Sequence, residues 1–152
     1  MIRDIWHTSF TVSNIEKSIA FYRDILGLTL IHEQIQHNEY TANLVGYPNA
    51  HLKVAMFGIS NKPMGAAGHV LELVEYVHPK GEYVPVGTAH TRSAHFAFEV
   101  DDIFTLVQKL KTAGVEFKSD VVKIVEGRNK GGYTVYFYDP DNITLELVQA
   151  PK

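Results

Sequence analysis

The chain contains no cysteine, so neither a disulfide frame nor a thiolate metal site is open to it. Redox compartment is left undetermined by that count. No apolar run reaches the ~18 residues of a membrane span. The amino terminus, Met1-Ile-Arg-Asp-Ile, enters folded-looking sequence without the charged and apolar regions of a secretory signal. Excess positive charge is missing as well: 14 Lys and Arg against 17 Asp and Glu give a formal charge of −3, with no basic cluster to serve nucleic acid. Low-complexity sequence is absent. A cytoplasmic protein that engages neither nucleic acid nor membrane is the expectation.

What is present is a repeat. An apolar content of 45% with 20% charged residues is that of an ordinary globular chain, and 152 residues suffice for one domain with a real core. Within it, His7-Thr-Ser-Phe-Thr-Val-Ser-Asn-Ile15 reads against His95-Phe-Ala-Phe-Glu-Val-Asp-Asp-Ile103 at a constant shift of 88 (95 − 7). Leu71-Glu72-Leu73 recurs as Leu145-Glu146-Leu147 at a shift of 74 (145 − 71). A fold unit used twice, presenting His and Glu each time, is what a pseudo-twofold divalent-metal site requires.

Ile5 to Val12 alternates as a strand with one apolar side. Ser13-Asn-Ile-Glu16 has capping-box spacing, which places a helix start at Ser13. Ile15, Ile19, Tyr22 and Leu26 follow at helical spacing, and Gly27 stands where a left-handed C-terminal residue belongs. Leu28–Ile31, His51–Gly58 and His69–Tyr76 read as strands, with an insertion around Asn38–Ala50 and a loop at Ser60–Gly68. The second half repeats the order. His95–Val100 is a strand, Asp101 or Asp102 caps a helix carrying Ile103, Leu106, Val107 and Leu110, and Gly114 closes it. Val115–Lys118, Tyr133–Tyr138 and Ile143–Gln149 supply three strands, the last two joined by a tight turn at Asp139–Asn142.

The expected fold is α+β: one domain over residues 1–152, made of two βαβββ modules (about 4–76 and 93–149) joined by a linker at 77–92. Placed side by side, the sheets are expected to curl into one partly closed cup with helices outside. Alternation puts Phe10/Val12, Phe96/Phe98, Leu71/Leu73 and Leu145/Leu147 under the helices and His7, Glu72, His95 and Glu146 on the opposite face. Imidazole nitrogen with carboxylate oxygen suits Zn, Ni, Co, Mn or Fe(II). The plain alternatives are a solvent-facing glutamate on an antiparallel strand and a core-edge histidine satisfied by a hydrogen bond. Four unrelated surface residues need not respect the repeat.

These residues, with Ile15-Glu-Lys-Ser-Ile-Ala-Phe-Tyr22, Leu26-Gly-Leu28, Val100-Asp-Asp102 and Tyr136-Phe-Tyr-Asp-Pro-Asp141, make the chain resemble the vicinal oxygen chelate superfamily. That superfamily includes glyoxalase I, methylmalonyl-CoA epimerase, extradiol dioxygenases and bleomycin- or fosfomycin-resistance proteins. The resemblance covers nearly the whole chain and implies that His7, Glu72, His95 and Glu146 are the metal positions of the two modules. A complete His/Glu/His/Glu set looks most like glyoxalase I; the epimerases usually carry glutamine at the place of Glu72. Two positions depart from bacterial glutathione-dependent glyoxalases, Thr11 in place of an arginine and Tyr76 in place of an asparagine. Both positions help hold glutathione in that group, which implies a different carrier or none. An acidic residue that the epimerases add has no secure match here, Asn43 being the nearest.

The implied activity is that of a divalent-metal-dependent lyase or isomerase acting on a small oxo- or acyl-type substrate through a metal-stabilised enediolate. Glu146 and Glu72 are the expected acid–base residues as well as ligands. Thr11, Val74, Tyr76, Glu99, Tyr136 and Val148 share or adjoin the inward face and either shape a pocket or pack between strands. Arg128 and Lys130, in the glycine-flanked segment Gly127–Gly132, could close on an anionic substrate group, though a solvated turn is the commoner use of such a segment. His51, His69, His78 and His90 carry no assigned chemistry. The competing classes are a non-catalytic binder of an aromatic or antibiotic ligand and an Fe(II) dioxygenase. A homodimer is the expected assembly.

Overall fold

The computed structural model describes residues 1–2, 4–59 and 69–152, and the chain divides into two compact units, Met1–Tyr83 and Val84–Lys152. The loop expected at Ser60–Gly68 lies outside the described residues. In the first unit, strand β1 (Thr8–Thr11) leads into helix α1 (Ile15–Ile19), which runs on as a π-helical segment (Ala20–Ile25). Strand β2 (Thr29–Gln36), helix α2 (Glu39–Val45), β3 (His51–Gly58) and β4 (Val70–His78) follow. β1 pairs parallel with β4, β4 antiparallel with β3, and β3 antiparallel with β2, giving the order β1-β4-β3-β2.

The second unit repeats that plan with β5 (His95–Glu99), α3 (Ile103–Thr112), β6 (Val122–Lys123), β7 (Tyr133–Tyr138) and β8 (Thr144–Gln149). Its sheet order is β5-β8-β7-β6, with β5 parallel to β8 and the other pairs antiparallel. The α+β class and the two four-stranded mixed sheets are those expected from the repeat, and neither sheet closes into a barrel.

Strand alternation decides what each sheet buries. Leu71 and Leu73 on β4 are fully buried, as are Leu145 and Leu147 on β8. In the first unit α1 packs on β3 and β4, and Ile15, Ile19 and Tyr22 join Phe57 and the β4 leucines in the core. In the second, α3 packs on β8, and Ile103, Val107 and Leu110 join Val135 and Phe137. Removing these side chains from water is the main stabilising term, about 1.5–3 kcal/mol for each fully buried large apolar residue.

Helix ends differ in detail from expectation. The N-cap of α1 is Asn14, not Ser13: its side chain accepts from the Lys17 N–H at 2.8 Å. Glu16, expected to complete a capping box, instead binds Lys53 Nζ at 2.6 Å, and that bond holds its carboxyl below the usual range. In α3 the cap is Asp102, whose carboxylate accepts from the Thr105 N–H and hydroxyl. Gly27 and Gly114 both have φ of +80°, the left-handed conformation expected of them. The insertion at 38–50 contains α2, capped by Asn38 and ended by left-handed Gly46.

One strand is displaced. Val115–Lys118, expected as the second strand of the second unit in chain order, makes only an isolated bridge, Phe117 against Phe137. Lys118 N–H reaches the Tyr136 carbonyl and Tyr138 N–H the Glu116 carbonyl, after which Ser119–Val121 interrupts the pairing. It resumes as β6, where Val122 faces Thr134 and Lys123 faces Tyr133. Among the described residues no helix is long and apolar enough to cross a membrane.

Candidate functional site

Parallel pairing of β1 with β4 sets Ser9 beside Glu72. His7 lies two residues before Ser9, so alternation carries its ring to the same face as the Glu72 carboxylate. The two meet, His7 Nε2 standing 3.5 Å from Glu72 Oε1. Glu72 is well covered, with 15% of its side chain exposed against 33% for His7. His7 Nδ1 is buried and has no hydrogen-bond partner among the described residues. In the antiparallel direction Glu72 faces Met56 of β3.

The second unit builds the same pair from the same register. Ala97 of β5 sits beside Glu146 of β8, His95 lies two residues earlier, and His95 Nε2 stands 3.1 Å from Glu146 Oε2. Here the surroundings are more polar. Thr134 of β7 donates its hydroxyl to Glu146 Oε1 at 2.5 Å. Tyr136, the register partner of Glu146, packs its ring 5.2 Å from that of His95. Burial, and secondarily the Glu146 charge, pushes the Tyr136 phenol above its ordinary range.

The donor chemistry fits a divalent ion. Ligands at about 2.1 Å from a metal and cis to one another are roughly 3.0 Å apart, close to the 3.1 and 3.5 Å separations of the two pairs. Within each unit the histidine and glutamate expected from the sequence are thus brought together. Among the described residues no three His, Asp or Glu side chains form one metal-holding group, so the structure presents the donors as two pairs.

Other expected residues fall as follows. Val74 and Tyr76 share the Glu72 face of β4 by alternation, Val148 shares the Glu146 face of β8, and all three are half-buried. Thr11 registers against Val74 and Glu99 against Val148, both exposed. Tyr76 meets the ring of Tyr47 edge-on at 6.0 Å. Asn43 is exposed on α2, and Arg128 and Lys130 are exposed in the turn that follows β6. His51 faces His78 across β3 and β4 and stacks on His37 at 4.8 Å. The residue that sequence reasoning missed is Thr134. A hydroxyl two residues before Tyr136, on the same strand face, was the available signal.

A family model described as "Glyoxalase/Bleomycin resistance protein/Dioxygenase superfamily" matches residues 4–147. A probable lactoylglutathione lyase of Vibrio parahaemolyticus is 32% identical over 148 residues, covering 95% of this chain and 89% of that protein. A lactoylglutathione lyase of Neisseria meningitidis is 30% identical over 145 residues, covering 94% and 88%. Among solved structures, a glyoxalase family protein from Bacillus cereus superposes with a TM-score of 0.80 at 18% identity, covering 100% of this chain and 97% of that one. At that identity the likeness speaks to the fold.

Proposed function

The chain belongs to the Glyoxalase/Bleomycin resistance protein/Dioxygenase superfamily, and on that premise we propose that it is a glyoxalase- or epimerase-like enzyme. It would be a divalent-metal-dependent lyase or isomerase of a small oxo- or acyl-type substrate. One observation carries this reading: the His–Glu pair is built twice, from the same register, with nitrogen and oxygen 3.5 and 3.1 Å apart. A protein that only bound a ligand in its fold would have no need to keep both pairs.

In this reading His7, Glu72, His95 and Glu146 hold one ion of Zn, Ni, Co, Mn or Fe, with the two pairs supplied by one chain or by two copies in a homodimer. Such an ion supplies Lewis-acid polarisation of two adjacent substrate oxygens. The chain's own carboxylates move the proton. Glu72 or Glu146 takes it from the substrate α-carbon and returns it to the neighbouring carbon, or to the opposite face in an epimerisation. Half-buried Val74 and Tyr76 flank Glu72, and half-buried Val148 flanks Glu146; the partial exclusion of water strengthens charge interactions at both carboxylates. The Tyr76–Tyr47 aromatic pair and Thr11, where bacterial glutathione enzymes carry asparagine and arginine, support a thiol carrier other than glutathione, or none.

The test uses untagged protein loaded in turn with each of the five metals. Hemithioacetals of several thiols and small 2-oxo or hydroxy acids are supplied in deuterated water, with NMR reading deuterium at the α-carbon. Glu72→Gln and Glu146→Gln should each lower turnover at least about 100-fold. Full turnover and full metal affinity in both variants would remove the acid–base role. Oxygen uptake with Fe(II) and a catechol would reassign the protein as a dioxygenase. Tight binding of an aromatic ligand by protein indifferent to all five ions would make it a binder.

A further inference from the structure

Glu72 and Glu146 occupy equivalent places in the repeat, yet their neighbours treat them differently. Glu146 uses both oxygens: Oε2 faces His95 Nε2 at 3.1 Å, and Oε1 accepts the Thr134 hydroxyl at 2.5 Å. Thr134 registers against Val148, two residues past Glu146. The matching place in the first unit, registered against Val74 two residues past Glu72, is held by Val54. Valine has no donor. The residue directly opposite Glu72, Met56, has none either, whereas Tyr136 stands opposite Glu146.

The Thr134 bond is well suited to hold a carboxylate still. At 2.5 Å it is at the short, strong end for a hydroxyl on an ionised oxygen. The Leu147 carbonyl, the second acceptor in reach, is farther at 3.0 Å, so the single hydroxyl proton belongs to Glu146. Threonine is stiff at χ1, and β7 lies between β6 and β8 inside the sheet. Little in that arrangement can swing.

We propose that Thr134 is a positioning residue, which ties down Oε1 of Glu146 and reserves Oε2 as the one oxygen this glutamate offers on the His95 side. Among the described residues Glu72 has no such tether, its place on β3 being taken by Val54 and Met56, so the restraint is particular to the second unit. This rests on the metal-site reading above and deepens it. The two halves of the repeat differ in this restraint: a hydroxyl orients one glutamate, and among the described residues its counterpart has none.

The experiment titrates apo protein with Co(II), whose visible absorption reports the number of ligands, and compares wild type with Thr134→Val, Thr134→Ser, Val54→Thr and Glu146→Gln. Melting temperatures of the apo proteins monitor the fold. Thr134→Val should weaken Co(II) binding about tenfold, the lower end for a residue that orients a ligand, and alter the spectrum; Thr134→Ser should restore both. Val54→Thr, which gives Glu72 the missing donor, should also change the spectrum, and it carries the test should Thr134→Val not fold. Wild-type affinity and spectrum in Thr134→Val and Val54→Thr, with binding lost in Glu146→Gln, would overturn the assignment and leave the metal site standing. Co(II) ignored by wild type and Glu146→Gln alike would overturn both.

Discussion

Glu75 Oε2 accepts the backbone N–H of Ile15 at 2.9 Å, so the strand that presents Glu72 on one face caps helix α1 with the other. Gln149 repeats the device 74 residues later (149 − 75), its side-chain oxygen accepting the Ile103 N–H at 2.8 Å. Each helix start is thus tied to the strand that bears the site glutamate. A lost cap costs about 0.5–2 kcal/mol. Gln149→Ala should fall in that range, and Glu75→Ala near its top because Lys80 also loses its carboxylate partner, keeping only the Ser13 carbonyl. Glu75→Gln, which keeps an acceptor, should cost less than Glu75→Ala in denaturant unfolding; equal losses would show that the carboxylate acts by charge alone.

Neighbouring positions on one strand should respond in opposite ways. Leu71→Ala and Leu145→Ala each empty a fully buried site and should cost about 2–5 kcal/mol. Glu72→Gln and Glu146→Gln preserve volume on the other face and should change apo stability by less than about 1 kcal/mol. Urea denaturation of the four variants checks the contrast, and similar losses across all four would contradict the alternation.

Much of the architecture can be read before any coordinates, because strand alternation and the repeat make the same demand on each residue. His51–Gly58 and Tyr133–Tyr138 form strands at the expected bounds, and both His–Glu pairs follow from spacing and register. What could not be read depends on residues distant in sequence. Ser13 and Asn14 are both competent caps; the Glu75 bond to Ile15, 60 residues away, makes Ile15 the first helical residue. The break at Ser119–Val121 depends on the register of β7, which a run of apolar residues does not encode. Helix α2 had its signals in Asn38 and Gly46, but seven residues give a weak pattern.

Gly132 should tolerate no side chain. A Cβ there would meet the Gln149 carbonyl oxygen, with the Asn129 carbonyl 3.1 Å away. Both are backbone atoms and cannot swing aside. Gly132→Ala should lower stability by about 1–3 kcal/mol and, two residues from Thr134, loosen the tether on Glu146. An unchanged melting temperature would contradict the close approach.

Acid should weaken the fold with a predictable sign. The Lys53 bond depresses the Glu16 carboxyl, and the Thr105 hydroxyl chiefly depresses Asp102. A carboxyl with a lowered folded-state pKa contributes stability above its unfolded value, near 4, and loses it as pH falls through the lower folded value. Lys53→Met should therefore melt below wild type at neutral pH, with the gap closing as pH falls through and below the ordinary carboxylate range. A gap that widens on acidification would reverse the assignment.

Metal stoichiometry of untagged protein, read by elemental analysis after equilibrium dialysis against Zn, Ni, Co, Mn and Fe, tests the central claim most directly. The account predicts one tightly held ion for each set of two pairs, lost in both His7→Ala and His95→Ala while their folds persist. Wild-type protein that retains none of the five, or an ion that neither substitution disturbs, would contradict it.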